Sequence, residues 1–159
     1  MTVAIRDAAP PDVPTILRFV KELATYEREP DAVKTTESDL TRVLFGPRRY
    51  AEAIIAEDES VPLGFALFFH NFSTWEGRPG LYLEDLYVTP GARGKGVGRA
   101  LLAHLAKLAV ERDCARLEWA VLDWNEPAIR FYRSLGAVPM DEWTVNRLTG
   151  DALAKLAQG

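Results

Sequence analysis

The chain has 159 residues, 48% of them apolar and 26% charged, with a formal net charge of −4 and one cysteine. That length suits a single domain with a real core, and the mild acidity argues against nucleic acid as the main partner, which needs a basic surface. A lone Cys114 excludes an intrachain disulfide and favours a reducing compartment. No apolar run approaches the ~20 residues of a membrane span, and the N-terminus carries no signal-peptide pattern, so a cytoplasmic protein is expected.

In chain order, Val3 to Ala8 reads as a short strand. Pro10, Pro11, Asp12 and Pro14 open a helix whose apolar face is Val13, Ile16, Leu17, Val20, Leu23 and Ala24, and Pro30 closes it. Thr35 to Ser38 offers N-caps for a second helix through Leu44. Strands follow over 50–56 and 61–72, then a loop over 71–80 holding Trp75. Leu81 to Val88 is a buried strand ended by Thr89-Pro90-Gly91. A helix runs from Val97 through Leu101, Leu105 and Leu108, a fifth strand over 116–122, and a further helix over 125–135 stopped by Gly136. Strand character around Trp143-Thr144-Val145 and a short terminal helix complete the pattern. The order implies a mixed, mainly antiparallel sheet with helices on both faces, an α/β (α+β) fold with a parallel pair where the central helix crosses over.

The stretch between the central strand and its helix is Arg93-Gly94-Lys95-Gly96-Val97-Gly98-Arg99. A helix N-terminus presents N–H groups without acceptors and the positive end of the dipole. Glycines let a ligand approach those donors, and the basic residues add charge, so the stretch reads as a pyrophosphate cradle. It is neither G-x-x-x-x-G-K-[ST] nor G-x-G-x-x-G. No metal site is expected.

Glu84 and Asp85 interrupt a strand that is otherwise apolar or aromatic. Adjacent strand residues point to opposite faces, so at most one of the pair is expected in any pocket. A carboxylate in apolar surroundings has a raised pKa and serves as a base near neutrality; the alternative role is a structural acid. Tyr132 follows Trp124-Asn125-Glu126-Pro127 on a later helix. By composition alone it is a core aromatic as readily as a proton donor, and Asn125 is as readily a helix N-cap.

Tyr82-Leu83-Glu84-Asp85, the Arg-Gly-x-Gly-x-Gly loop, Trp124 to Pro127 with Phe131-Tyr132, and the early Lys21-Glu22-Leu23-Ala24-x-Tyr26-Glu27 resemble the GNAT superfamily of N-acetyltransferases. Among them they are similar to the diamine (spermidine/spermine and thialysine) branch. The resemblance implies one GNAT domain over 1–159 and acetyl-CoA-dependent transfer to a primary amine of a small molecule, in a ternary complex without an acyl-enzyme. It implies Tyr132 as general acid and Glu84 as the group that draws the amine proton, through water. Backbone N–H groups of Leu86, Tyr87 and Val88, at a strand bulge, would hold the pantetheine arm. Arg93, Gly94, Lys95, Gly96, Val97, Gly98 and Arg99 would hold the pyrophosphate. Asn125, Glu126, Pro127 and Ala128 would flank the pantetheine. Glu27, Trp75, Glu84, Asp85 and Glu142 would surround the acceptor cation. The polyamine enzymes carry an acid two residues before their loop tryptophan, where this chain has Ser73, so a shorter amine or amino-acid side chain fits as well as spermidine. A homodimer follows from the resemblance alone. The alternatives are a protein or peptide N-acetyltransferase and a non-catalytic acyl-CoA-binding regulator.

Overall fold

The computed structural model describes residues 1–159, which divide into two compact units, Met1–Leu122 and Asp123–Gly159. The first unit contains β1 (Ala4–Asp7), β2 (Glu52–Asp58), β3 (Val61–Ser73), β4 (Arg78–Val88) and β5 (Leu117–Trp119), side by side in chain order. The first four strands pair antiparallel, and β4 pairs parallel with β5. Parallel neighbours need a crossover, which α3 (Val97–Glu111) supplies. Helices α1 (Val13–Tyr26) and α2 (Glu37–Phe45) lie between β1 and β2 in the chain.

The apolar stripe of α1 buries Val13, Ile16 and Phe19 with Leu40 and Leu44 of α2, Ala53 and Ile55 of β2, Phe65 of β3 and Tyr87 of β4. The Phe19 ring lies 5.8 Å from that of Phe65 and 5.5 Å from that of Tyr87. Strand residues alternate between faces, so Ile54, Phe68, Leu81 and Leu83 turn to the other side of the sheet. There α3 packs with Val97, Leu101, Leu105 and Ala109 buried. This is the mixed, mainly antiparallel sheet covered on both faces that the element order implies.

The helix ends follow the capping chemistry. Thr36 accepts the Asp39 N–H at 3.1 Å while Asp39 accepts the Thr36 N–H at 3.0 Å, a reciprocal cap that starts α2. At the end of α1, Arg28 takes a left-handed φ of 66° and Glu29 N–H closes onto the Ala24 carbonyl at 2.8 Å. Arg6 of β1 donates to Asp12 at 2.7 and 2.9 Å and to Glu57 of β2 at 3.0 Å, fastening the turn before α1 to the sheet.

Three expectations change. The loop over 71–80 is a tight hairpin instead, because β3 and β4 stay paired as far as Ser73 and Arg78. Beyond the cross-strand pair Phe69 and Tyr82, whose ring centroids are 5.2 Å apart, Asn71, Phe72 and Ser73 pair with Gly80, Pro79 and Arg78 and carry the ladder into the expected loop. β5 spans three residues rather than seven, since only Leu81, Tyr82 and Leu83 pair with it. In the second unit, α4 (Glu126–Ser134) and α5 (Gly150–Ala157) form, but the strand around Trp143 to Val145 does not. A strand persists only as one side of a ladder, and no ladder includes this segment.

Phe19 is fully buried between the helices and two strands, so Phe19→Ala leaves a cavity as well as losing its transfer energy. Denaturant unfolding should show a loss of about 3–5 kcal/mol. A loss below about 1 kcal/mol would mean that α1 is not docked as described.

Candidate active site

The register between β3 and β4 contains one irregularity. Leu67 pairs with Asp85, and the next residue, Phe68, pairs with Leu83. Glu84 is therefore an inserted residue, a β-bulge. Strict alternation from Leu83 would send Asp85 to the α3 face. The bulge resets the count, so Asp85 and Tyr87 stand opposite Leu67 and Phe65 on the face covered by α1 and α2.

The consequence is a cavity of about 480 Å³ that both Glu84 and Asp85 line. Val20 of α1, Leu40 and Val43 of α2, and Leu67 of β3 form its apolar wall. Lys34 and Thr35, in the segment between α1 and α2, complete it with Asp39. The expectation that only one of the two acids can face a pocket is overturned, and alternation fails because of the bulge. The bulge itself lies at Glu84, earlier than the expected 86–88.

Glu27, at the end of α1, joins these acids electrostatically. Burial pushes the Asp85 carboxyl up to about 6, and the charges of Glu84 and then Glu27 push in the same direction. Burial also raises Glu27, with Glu84 adding to it. The Tyr82 phenol is raised as well, by burial first and then by Glu84 and Glu118. Three carboxylates thus converge on a half-apolar space, an arrangement stabilised by a cation.

β4 runs from this cavity towards the glycine loop. β5 pairs only as far as Leu83, so the β5 side of β4 has no ladder partner over Glu84 to Val88. Gly94 and Gly96 have φ of 76° and 84°, where a side chain is strained, and the space beside each is open. Gly96 is the N-cap of α3 and provides no side-chain acceptor, so the first N–H groups of the helix stay available. A Cβ on Gly98 would touch Val88 Cγ2 at 3.8 Å, placing the helix start against the end of β4. Lys95 and Arg99 are exposed on the same loop. Arg93 behaves differently from its neighbours. Its Nε donates to the Val88 carbonyl at 3.0 Å, and its guanidinium lies 5.1 Å from the Tyr26 ring and 5.6 Å from the Tyr87 ring. The side chain pins the loop to β4 and to the end of α1.

Within the first unit, the structure does not bring Trp75 to the cavity. Trp75 sits, well exposed, at the β3–β4 turn, where Gly77 N–H donates to the Ser73 carbonyl at 2.9 Å. Five strand residues separate that turn from Leu83, roughly 17 Å at strand rise. In the second unit Glu142 lies in a turn with its side chain exposed. Tyr132 is half-buried on α4, its ring 5.6 Å from that of Phe131. Asn125 occupies the N-cap position of α4 without making a side-chain cap, Pro127 stands in the first turn, and Gly136 has the left-handed φ of 92° expected of a helix stop. Sequence reading missed Lys34 and Asp39. Asp39 carries a visible signal only as a helix cap, and Lys34 carries none.

Asp85 makes stability pH-dependent with a defined sign. Between the ordinary carboxyl value near 3.8 and about 6 the folded protein keeps a proton that the unfolded chain has released. Stability therefore falls as pH rises through that window and stays lower above it. Asp85→Asn should be more stable than wild type at pH 7 to 8 by on the order of 1–3 kcal/mol, with the advantage fading below pH 4. Denaturation midpoints across pH test this; a difference that does not change with pH would contradict it.

The model of the Acetyltransferase (GNAT) family matches residues 16–137. A thialysine N-epsilon-acetyltransferase of Bos taurus is 39% identical over 166 residues, covering 98% of this chain and 97% of that protein. The L-ornithine N5-acetyltransferase of Arabidopsis thaliana is 32% identical, covering 94% of this chain and 85% of its own length. Among solved structures, an integron cassette protein from the mobile metagenome of V. cholerae superposes with a TM-score of 0.82 at 32% identity, covering 100% of this chain and 99% of that one. The chain belongs to the GNAT acetyltransferase family and is an N-acetyltransferase that matches its diamine-type branch.

Proposed function

We propose that residues 1–159 act as one domain that transfers acetyl from acetyl-CoA directly to a primary amine of a small diamine or thialysine-like molecule. The observation that carries this reading is the pair of adjacent carboxylates, Glu84 and Asp85, turned into one cavity by the bulge in β4. The match to the family runs across both compact units, and the relatives named for thialysine and ornithine act on amines. A homodimer and a cytoplasmic location belong to the same proposal and rest on the resemblance.

The loop residues fit the pyrophosphate of acetyl-CoA. Gly94 and Gly96 leave open space where Cβ atoms would stand, the start of α3 is uncapped, and Lys95 and Arg99 supply charge. Gly94 to Arg99 would hold the phosphates, while Arg93 keeps the loop in place. When bound, acetyl-CoA supplies the activated acyl thioester. Backbone groups of Leu86, Tyr87 and Val88, on the β4 edge beyond the β5 ladder, would receive the pantetheine arm and polarise the acyl carbonyl. Asn125 to Ala128 would contact the same arm.

Amine attack requires loss of a proton, because an ammonium has no lone pair. Glu84, exposed at the bulge, would draw that proton through water. Asp85, more deeply set and raised to about 6, and Glu27 would hold the ammonium. Tyr132 would protonate the departing sulfur. Trp75 and Glu142 remain proposed acceptor contacts on the resemblance.

Tyr132→Phe should lower turnover about a hundredfold or more while leaving acetyl-CoA affinity within about twofold. Unchanged turnover, measured as free CoA released, would remove Tyr132 from the mechanism. Glu84→Gln should slow the reaction and also move the acidic limb of the pH–rate profile downward, since a neighbouring negative charge no longer raises Asp85. An immobile limb would mean that Asp85 does not control it.

A further inference from the structure

The acid-lined cavity has polar lining beyond the two strand acids. Lys34 and Asp39 both line it, from the segment that leads into α2 and from α2 itself. Lys34 is exposed and makes no ion pair, with Asp39 or with either strand acid. The Asp39 oxygens accept from Thr36 N–H at 3.0 Å and from Arg42 Nη2 at 3.1 Å. A carboxylate has about four lone-pair sites, so capacity for another donor remains.

We infer that Lys34 is a specificity-determining residue that reads a carboxylate on the acceptor, making the preferred acceptor an α-amino acid with a terminal side-chain amine rather than a diamine. The inference rests on the small-amine reading above and narrows it. Such a molecule carries an ammonium at one end and a zwitterion at the other. Glu84 and Asp85 suit the side-chain ammonium. Lys34, which lines the same cavity without pairing to those acids, attracts the α-carboxylate, and Asp39 has capacity to accept from the α-ammonium. A diamine of the same length presents an ammonium where the carboxylate would be, and Lys34 repels it. One lysine therefore favours one class and disfavours the other, and specificity is the difference between the two.

The pairs ornithine/putrescine and lysine/cadaverine differ only by the carboxylate, which makes them the probes. With acetyl-CoA as donor, wild type should show a higher kcat/KM for the amino acid of each pair by about tenfold, the scale of one charge-assisted hydrogen bond. Lys34→Met should reduce that preference mainly through KM for the amino acids, and raise rather than lower kcat/KM for the diamines. Lys34→Glu should invert the preference, and Lys34→Arg should restore it. Lys34 is exposed between two helices, so these variants should fold, which a thermal melt checks. Wild-type preference for the diamines, or equal effects of Lys34→Met on both members of a pair, would overturn the role of Lys34 while leaving small-amine acetylation intact. If no probe is acetylated although acetyl-CoA binds, the small-amine reading fails and this inference fails with it.

Discussion

One inserted residue in β4 sets the chemistry of the cavity. Without the bulge at Glu84, Asp85 would turn towards α3 and an apolar core, where an isolated carboxylate costs several kcal/mol. With it, two consecutive acids face the same space, close enough to raise the pKa of the more buried one. That is an unfavourable arrangement for the empty protein, since like charges in partly apolar surroundings repel. Such a conflict persists where function requires it. The proposed cationic acceptor would relieve the conflict, so that binding energy and local repulsion would act together.

The rest of the first unit holds this feature in place. Tyr87, two residues beyond Asp85, has its ring in contact with Phe19 of α1 and with the Arg93 guanidinium, so the end of β4 is held on the face that α1 covers. Arg93 also holds the Val88 carbonyl and lies over Tyr26, which ties the glycine loop to the far end of α1. Glu27 follows Tyr26 directly. The loop is thereby connected to the helix that brings the third acid, through ring contacts and one hydrogen bond. The glycine loop and the acids, the proposed donor and acceptor sides, are thus joined through Arg93 rather than sitting on independent loops.

Much of this was legible in the sequence because period and punctuation are local. The 3.6-residue stripes of α1 and α3, the Thr36 cap, the Pro30 stop and the Gly94/Gly96 loop each announce themselves within a few residues. The parallel crossover followed from a buried strand preceding a helix and another strand. What stayed hidden was non-local. Whether 71–80 continues a ladder depends on the partner strand, as the pairs of Asn71, Phe72 and Ser73 with Gly80, Pro79 and Arg78 show. The bulge is a register property of two strands, so no window around Glu84 shows that Asp85 changes face. Arg93 looked like a phosphate ligand because its neighbours do, although its partners, Tyr26, Tyr87 and Val88, come from other elements. Lys34 was silent for the same reason: an exposed lysine ahead of a helix is ordinary until the cavity beside it is seen.

On the proposed reading, the work of holding the acceptor divides between the sheet and a connecting segment. Glu84 and Asp85 are set by a ladder and a bulge, features that cannot shift without repacking the core. Lys34 and Thr35 lie in the stretch between Tyr26 and Glu37, where backbone constraints are weaker and substitution costs little stability. The strand acids meet a requirement common to every amine acceptor, a site for the reacting nitrogen's charge. The connecting segment meets what differs, the group at the far end of the acceptor. Charge at position 34 can change without disturbing the strand acids, because no ion pair links them. On that reading acceptor choice is separable from the chemistry of transfer, and it sits in the connecting segment of the cavity wall rather than in the sheet.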